Sequence, residues 1–257
     1  MSKVTNEVLR QISAELANTL PQLSVNVVLF RFHQSEIQVA TVDFIFASLT
    51  VIPGGFIHQD ESVTQAAQRV LGQHSSCKNA ILREIGVFGA AHRKFQDAFK
   101  DLKDFGVAQS SIDQLSQRHV TFAYYSISNT SGADTKLNPI FTKIKWKPLK
   151  SLAPLALDHS EIVARGHQKM ASDVLSQPVL QSFLPEEFTL ANLQELYQCI
   201  FQRKIDRGNF RQRILKSGIL QKIGKQLSKG SGRPADLYRF DELKYLSSLS
   251  TDIKLGF

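Results

Sequence analysis

Cysteine is scarce in this chain. Its two residues, Cys77 and Cys199, lie far apart and make no CxxC spacing, which speaks against a zinc site or a secreted disulfide framework and for a reducing compartment. Long apolar runs are missing too. Lys3, Glu7, Arg10 and Glu15 break up the first twenty residues too often for a signal-peptide core, and no later window approaches about 18 uninterrupted apolar residues. A soluble, cytoplasmic protein with no membrane partner is therefore expected. What is present is ordinary for a globular chain: 42% apolar and 21% charged residues, with 14 Gly and 8 Pro. At 257 residues the chain is long enough for two domains.

The charge is positive, and it is local. Residues 1–159 hold 16 Lys/Arg against 13 Asp/Glu, whereas residues 200–240 hold 11 against 2, so the net +8 is concentrated in the C-terminal third. A concentrated positive field favours a polyanionic partner, where a diffuse one mainly serves solubility.

Val8, Leu9, Ile12, Leu16 and Leu20 recur at helical spacing and predict an amphipathic helix over 5–20, ended by Pro21. Residues 23–32 and 36–45 are rich in Val, Ile and Phe and flank a polar turn, which predicts two paired strands. The run from Val51 through Gly54-Gly55 to Phe56 is expected to break the sheet, and Val63, Ala66, Ala67, Val70 and Leu71 demand a helix. Strand character returns at 84–88, 120–128 and 140–146. Phe95, Phe99, Leu102 and Phe105 give helical spacing to a polar stretch, 94–117, that reads as an insertion between two of those strands. After Pro154, Ser160 can cap a helix to about Leu175, with a weak point at Gly166.

The last third has a different grammar. Thr189 caps a helix striped by Leu190, Leu193, Leu196, Tyr197, Ile200 and Phe201. Asp206 then caps a second helix that Gly218 can end. Two strand-like runs, 219–223 and 235–240, follow around a glycine-rich basic tip, so the order is that of a helix-turn-helix with a wing. With Phe210, Ile214 and Leu215 as the buried side, the second helix presents Asn209, Gln212, Arg213 and Lys216 outward, with Arg207 and Arg211 on the flanks. Arg and Lys pair with guanine, and Asn and Gln with adenine, in the major groove. Lys225, Lys229 and Arg233 at the wing suit phosphates.

One motif remains. Gly55 is followed by Glu61 after five residues and by Arg69 after a further seven, a spacing that resembles the first half of the Nudix box. Its second half is eroded. Carboxylates at i, i+3 and i+4 share a helix face and bind the Mg²⁺ that activates water against a diphosphate. Here those positions are Val70, Gln73 and His74, which cannot supply the charge, so no catalytic residue, metal or cofactor is expected. Glu61 and Arg69 remain as a structural ion pair, and His74 is read as a helix-surface residue.

Further segments follow in order: 86–89 with Arg93, 118–125, 146–149, 155–162 with Asp158-His159, 184–190, 206–211 and 232–240. Together they resemble the Nudix-related transcriptional regulators, most closely the NrtR type, over about residues 23–240. The resemblance implies an α/β (α+β) Nudix-like sandwich followed by a winged helix-turn-helix domain. The corresponding division is an N-terminal helix over 1–22, a ligand-sensing domain over 23–157, a linker helix over 158–176 and a DNA-binding domain over 177–257. It also implies a homodimer on palindromic double-stranded operator DNA, repressing genes of NAD metabolism and released by ADP-ribose as small-molecule effector. For such a ligand the candidate residues are Arg31, Phe56, Phe88, Arg93, Arg118 and Tyr124, although Phe88 and Tyr124 also suit a core and a surface arginine is often merely solvated. The competing class is a Nudix pyrophosphohydrolase with an appended nucleic-acid-binding module. An RNA-binding module lacks its expected run of stacking aromatics.

Overall fold

The computed structural model of the chain describes residues 16–45, 47–74, 81–128, 141, 144–226 and 234–250. Contacts divide it into two units that part between Gly166 and His167, with residues 31–38 and 127–128 clustering with the second. No helix among the described residues is long and apolar enough to cross a membrane.

The first unit is built on β1 (Thr19–His33) and β2 (Glu36–Asp43), joined at the polar turn. With β3 (Thr50–Val51), β4 (Gly54–His58), β5 (Arg83–Phe88), β6 (Val120–Ile127) and β7 (Lys145–Pro148) they form a seven-stranded sheet of order β3-β2-β1-β6-β5, with β4 pairing β1 and β7 pairing β2. Strand alternation decides which side chains go where. Val25, Val27 and Leu29 pack against Ala66, Ala67, Val70 and Leu71 of α1 (Val63–His74). Asn26, Val28 and Phe30 point to the opposite face.

That face carries the insertion and a second helix layer. The 94–117 stretch folds as a 3-10 segment, Gln96–Phe105, and a short helix, α2 (Gln109–Ser116). Phe99, Leu102, Ile112 and Leu115 form a satellite core there with Leu16. Helix α3 (His159–Val174) approaches the sheet at Gly166, where an added Cβ would lie 2.9 Å from Ile85 Cδ1 and 3.5 Å from Val28 Cγ2. The helix-breaking residue in the sequence is thus a packing residue.

Four expectations need correction. The N-terminal helix does not reach Leu20: β1 starts at Thr19, whose hydroxyl donates to Leu16 O at 2.9 Å and whose backbone pairs with His58. The rest of that expected helix, 5–15, lies outside the described residues. The 51–56 run does not break the sheet. It supplies Val51 of β3 and most of β4, because Gly54 and Gly55 let β4 lie against Asn26 and Val25 of β1. Of the strand expected at 140–146, residues 140, 142 and 143 lie outside the described residues; Phe141 makes an isolated bridge to Phe44, Ile144 is not in a strand, and β7 starts at Lys145. Finally, α3 begins one residue before Ser160, whose hydroxyl instead accepts from Leu155 N at 2.9 Å.

The second unit contains β8 (Phe188–Thr189), α4 (Leu190–Phe201), α5 (Arg207–Lys216), β9 (Leu220–Lys225), β10 (Asp236–Phe240) and α6 (Glu242–Ser250). Thr189 makes a reciprocal capping box with Asn192, and Asp206 accepts from Asn209 N at 2.8 Å, so both caps read from sequence are in place. The Tyr197 and Phe210 rings meet edge-on at 5.5 Å and hold α4 to α5. The strands form a three-stranded sheet, β8-β10-β9, and Gly218 at φ +70 follows the end of α5. Helix α6 was not anticipated, although Asp241 accepts from Lys244 N at 3.2 Å as its cap and Tyr245 is its buried anchor.

The two close approaches separate by experiment. At Gly54 a Cβ would overlap Asn26 Nδ2 and stand 3.0 Å from Val25 O, a backbone atom that cannot swing aside. Gly54→Ala is expected to destabilise by about 1–3 kcal/mol. Gly166→Ala meets only a terminal methyl and gains about 1 kcal/mol of helix propensity, so it should lie within about 1 kcal/mol of neutral. Urea unfolding compares the two, and equal losses would contradict the packing account.

Candidate functional site

Arg93 is the hub of the first unit. It lies in the turn after β5 and is 3% exposed. Its Nε donates to both oxygens of Asp158, at 2.9 and 3.1 Å, just before α3. Nη1 donates to His119 O at 3.1 Å and Nη2 to Asn26 Oδ1 at 3.0 Å, an oxygen that also accepts from Thr121. One guanidinium thereby joins β1, the entry to β6 and the start of α3. Burial works to lower its pKa, and Asp158 opposes that.

Two histidines flank it. His159 Nδ1 accepts the Ile52 N–H at 3.2 Å, and its Nε2 lies 3.4 Å from Arg93 Nη2. Burial, helped by the Arg93 charge, pushes the His159 imidazole down to about 3 and that of His119 to about 4. Both are neutral at physiological pH. Together with Arg93 and Asn26 they line a cavity of about 80 Å³ whose remaining wall is mainly apolar, with Phe44, Phe56, Phe95 and Phe99 among its side chains.

Of the six ligand candidates, Phe56 and Arg93 reach this cavity, and the Phe56 ring sits 5.0 Å from the His119 ring. The other four do not line it. Tyr124 faces the α1 core, because it alternates with Ala123 and Tyr125 along β6. Phe88 is buried at the end of β5 with the Arg165 guanidinium 5.2 Å above its ring. Arg31 donates to Gln38 Oε1 at 2.8 Å, and Arg118 is exposed. Asn26, His119 and His159 were not among the candidates. Only the Asp158-His159 pair had stood out in the sequence. His119 follows Arg118 directly in the segment that enters β6, where its N–H donates to Arg93 O at 3.3 Å and its ring is buried while Arg118 is exposed.

The Glu61–Arg69 pair forms as expected. Arg69 donates from Nη2 to Glu61 Oε1 at 2.6 Å and to Phe56 O at 2.7 Å, tying α1 to β4. Burial raises the Glu61 carboxyl, but Arg69 and the His58 N–H outweigh it and hold the group below its ordinary value. Val70 is fully buried, and Gln73 Oε1 is buried without a partner among the described residues. His74 is not on the surface: it is 1% exposed, beside Phe141, because its position four residues after Val70 puts it on the same inward face. Among the described residues no three His, Cys, Asp or Glu side chains come together to hold a metal ion.

The second unit presents a different surface. Arg207, Asn209, Arg211, Gln212, Arg213 and Lys216 are all exposed on α5, while Phe210 and Ile214 are buried. Leu215, expected on the buried side, is 38% exposed, since the next residue after Ile214 rotates about 100° out of the core. Lys225 is exposed at the end of β9, and Lys229 and Arg233 lie outside the described residues. The hydrogen bond from Lys222, with the charges of Lys225 and Arg211, holds the Asp236 carboxyl below its ordinary value. Helix α5 and the wing strand therefore share one positive field.

Residues 181–240 match the NrtR DNA-binding winged helix domain. Over most of its length the chain is similar to Shewanella oneidensis NrtR, solved in complex with a 27mer DNA. That likeness has 25% identity and a TM-score of 0.65, and covers 88% of this chain and 96% of that one. It has the NrtR fold. An NrtR-type regulator is a Nudix-like domain followed by an NrtR winged helix domain, which is the two-part architecture described above. The chain is also 23% identical over 227 residues to the ADPR responsive transcriptional repressor NtrR of Acinetobacter baylyi, covering 86% of this chain and 82% of that protein. A MutT/nudix family protein from Enterococcus faecalis shares the fold at a TM-score of 0.60 and 17% identity, with 86% and 87% of the two chains covered.

The buried imidazoles make a measurable demand on this fold. His74 is held down to about 4 by burial, as His119 is, so in the unfolded chain all three histidines take up protons first as the pH falls below 6.5. Their contribution to stability is complete above that pH and is lost as the pH falls, from about 6.5 to 4 for His74 and His119 and on to about 3 for His159, at roughly 1.4 kcal/mol per pH unit for each group. Urea midpoints at pH 7 and 5 should differ accordingly. His74→Met should shrink the difference, and an unchanged difference would exclude His74 as a contributor.

Proposed function

We propose that this chain is a ligand-responsive transcriptional repressor: its winged helix binds operator DNA and its Nudix-like domain binds ADP-ribose without hydrolysing it, which releases the DNA. The reading is supported above all by the exposed basic and amide face of α5, continuous in charge with the wing, inside a segment that matches an NrtR DNA-binding domain. Arg207, Asn209, Arg211, Gln212, Arg213 and Lys216 read the major groove, and Lys225, Lys229 and Arg233 meet phosphates. The effector is suggested by the relative named as ADPR responsive. Genes of NAD metabolism are the proposed targets, as the resemblance of the sequence to the NrtR type implies.

The proposed repressor acts as a homodimer in the cytoplasm. A dimer reads a palindrome only when its two recognition helices stand about 34 Å apart or a multiple of that. Helix α3 is the proposed lever, because it begins at His159, directly after Asp158, and its residues from His167 onward belong to the second unit. A small rotation of it misplaces both recognition helices at once. The second reading, a Nudix pyrophosphohydrolase, is disfavoured by Val70, Gln73 and His74 at the positions of the metal-binding carboxylates.

Linkage tests the proposal. If ADP-ribose weakens operator binding, operator must weaken ADP-ribose binding by the same factor, typically about 5- to 150-fold. Calorimetric titration of ADP-ribose with and without operator duplex reads this, and equal affinities would eliminate ADP-ribose as the allosteric effector. Turnover of ADP-ribose with Mg²⁺, abolished by chelator, would favour the second reading instead.

The division of the DNA-binding face has its own test. Neutralising Lys225, Lys229 or Arg233 should weaken binding to every duplex and flatten the salt slope, whereas Asn209→Ala or Arg213→Ala should change base preference by about 1–3 kcal/mol. Fluorescence polarisation across salt and sequence distinguishes them. Indistinguishable behaviour of the two groups would refute the assignment.

A further inference from the structure

The tip of the β1–β2 hairpin, residues 31–38, clusters with the second unit, although the rest of both strands belongs to the first. Its two turn residues, Gln34 and Ser35, have φ of +50 and +59. A two-residue hairpin turn requires such values, and glycine or asparagine normally supplies them. Here α4 fastens the turn. Ser35 Oγ donates to Glu195 Oε2 at 2.9 Å, and Ser35 O accepts from the Cys199 thiol at 3.0 Å. Glu195 and Cys199 stand one helical turn apart, so the tip grips a single row of α4. Just behind the turn, Arg31 donates to Gln38 Oε1 at 2.8 Å and ties the two strands together.

The adjacent row of α4 holds the approach to the recognition helix. Gln194 Nε2 donates to Ile205 O at 2.9 Å and Gln198 Oε1 accepts from Ile205 N at 3.0 Å, so α4 fixes both backbone polar groups of Ile205. The next residue, Asp206, caps α5. A third hold comes from α3, where the His167 ring donates to the Ile200 backbone carbonyl. Helix α3 passes from one unit to the other at Gly166, its most permissive residue, whereas the hairpin passes as two paired strands. The hairpin is therefore the stiffer connection. Strand β1 also carries Asn26, which accepts from Arg93 at 3.0 Å, so a displacement of β1 at the cavity moves the tip.

We infer that the β1–β2 hairpin couples the Nudix-like domain to the recognition helix: Ser35 clamps α4 at Glu195 and Cys199, and α4 passes a shift of β1 to the start of α5 through Ile205. Ser35 and Glu195 are positioning residues that touch neither DNA nor effector. The inference rests on the reading of the chain as a repressor released by ADP-ribose, and it names the element through which that release travels. Packed and hydrogen-bonded rigid elements carry such coupling, and a measured coupling energy is what establishes it.

The test is the linkage factor of the full chain, the ratio of its operator affinities without and with saturating ADP-ribose, read by fluorescence polarisation. Ser35→Ala and Glu195→Ala should each lower the factor about 2- to 10-fold, the weight of one hydrogen bond. The double variant should lower it no further, because both substitutions remove the same bond, whereas unrelated structural losses would add. Glu195→Gln keeps an acceptor oxygen and should retain the factor. An unchanged factor in both single variants, or additive losses in the double, overturns the inference. If ADP-ribose fails to release operator from the unaltered chain, the effector reading falls, and hydrogen exchange then decides the clamp. Exchange at the Ile205 amide should quicken about 2- to 10-fold in Glu195→Ala while the α1 amides keep their rates. Equal exchange at Ile205 overturns the clamp whatever the response to ADP-ribose.

Discussion

A guanidinium taken out of water is costly unless a carboxylate and further acceptors meet it, and breaking such a buried pair typically costs about 3–5 kcal/mol. The Nudix-like domain is organised around that constraint at Arg93 and Asp158, both nearly excluded from solvent. The pair fixes the start of α3 relative to the turn after β5. Asn26, held by Arg93 and Thr121, fixes β1 in the same network. Gly54 then follows from Asn26, because the asparagine side chain occupies the space a Cβ would need. The neutrality of His119 and His159 follows as well, since the Arg93 charge and burial act on both in the same direction.

The winged unit is held by different means. Its helices start at side-chain caps, Thr189 with Asn192 and Asp206 with Asn209, and join through the Tyr197–Phe210 contact. Those devices use short-range geometry and a few aromatic rings, leaving the outer face of α5 unconstrained by packing. An entire helix side can therefore carry Arg, Asn, Gln and Lys without cost to the fold. The Nudix-like domain buries its charge and the winged domain displays it.

How much of this was legible in the sequence follows from the range of each interaction. Helices α1, α4 and α5 and both caps are local, and periodicity with Ser/Thr/Asp placement located them. The hairpin of β1 and β2 was equally plain. Strand β4 was missed because two glycines look like a break until their partner, Asn26, is known. The candidate cavity was legible only at Phe56 and Arg93. Asn26 enters it through strand alternation and His119 through long-range pairing with Arg93, which no spacing rule shows, whereas Tyr124 leaves it through alternation. Leu215 was misplaced by one helical step, and α6 was overlooked although Asp241 stood at its head.

The buried face of α1 has a consequence for any carboxylate placed there. Val70 sits in the core among Val25, Val27, Ala66 and Ala67, and His74 is sealed beside Phe141. A glutamate put singly at either position would carry its charge into surroundings of hydrocarbon and neutral imidazole, at a cost in stability. Metal-binding carboxylates on this face would therefore require the core around them to be repacked, not only side chains to be exchanged.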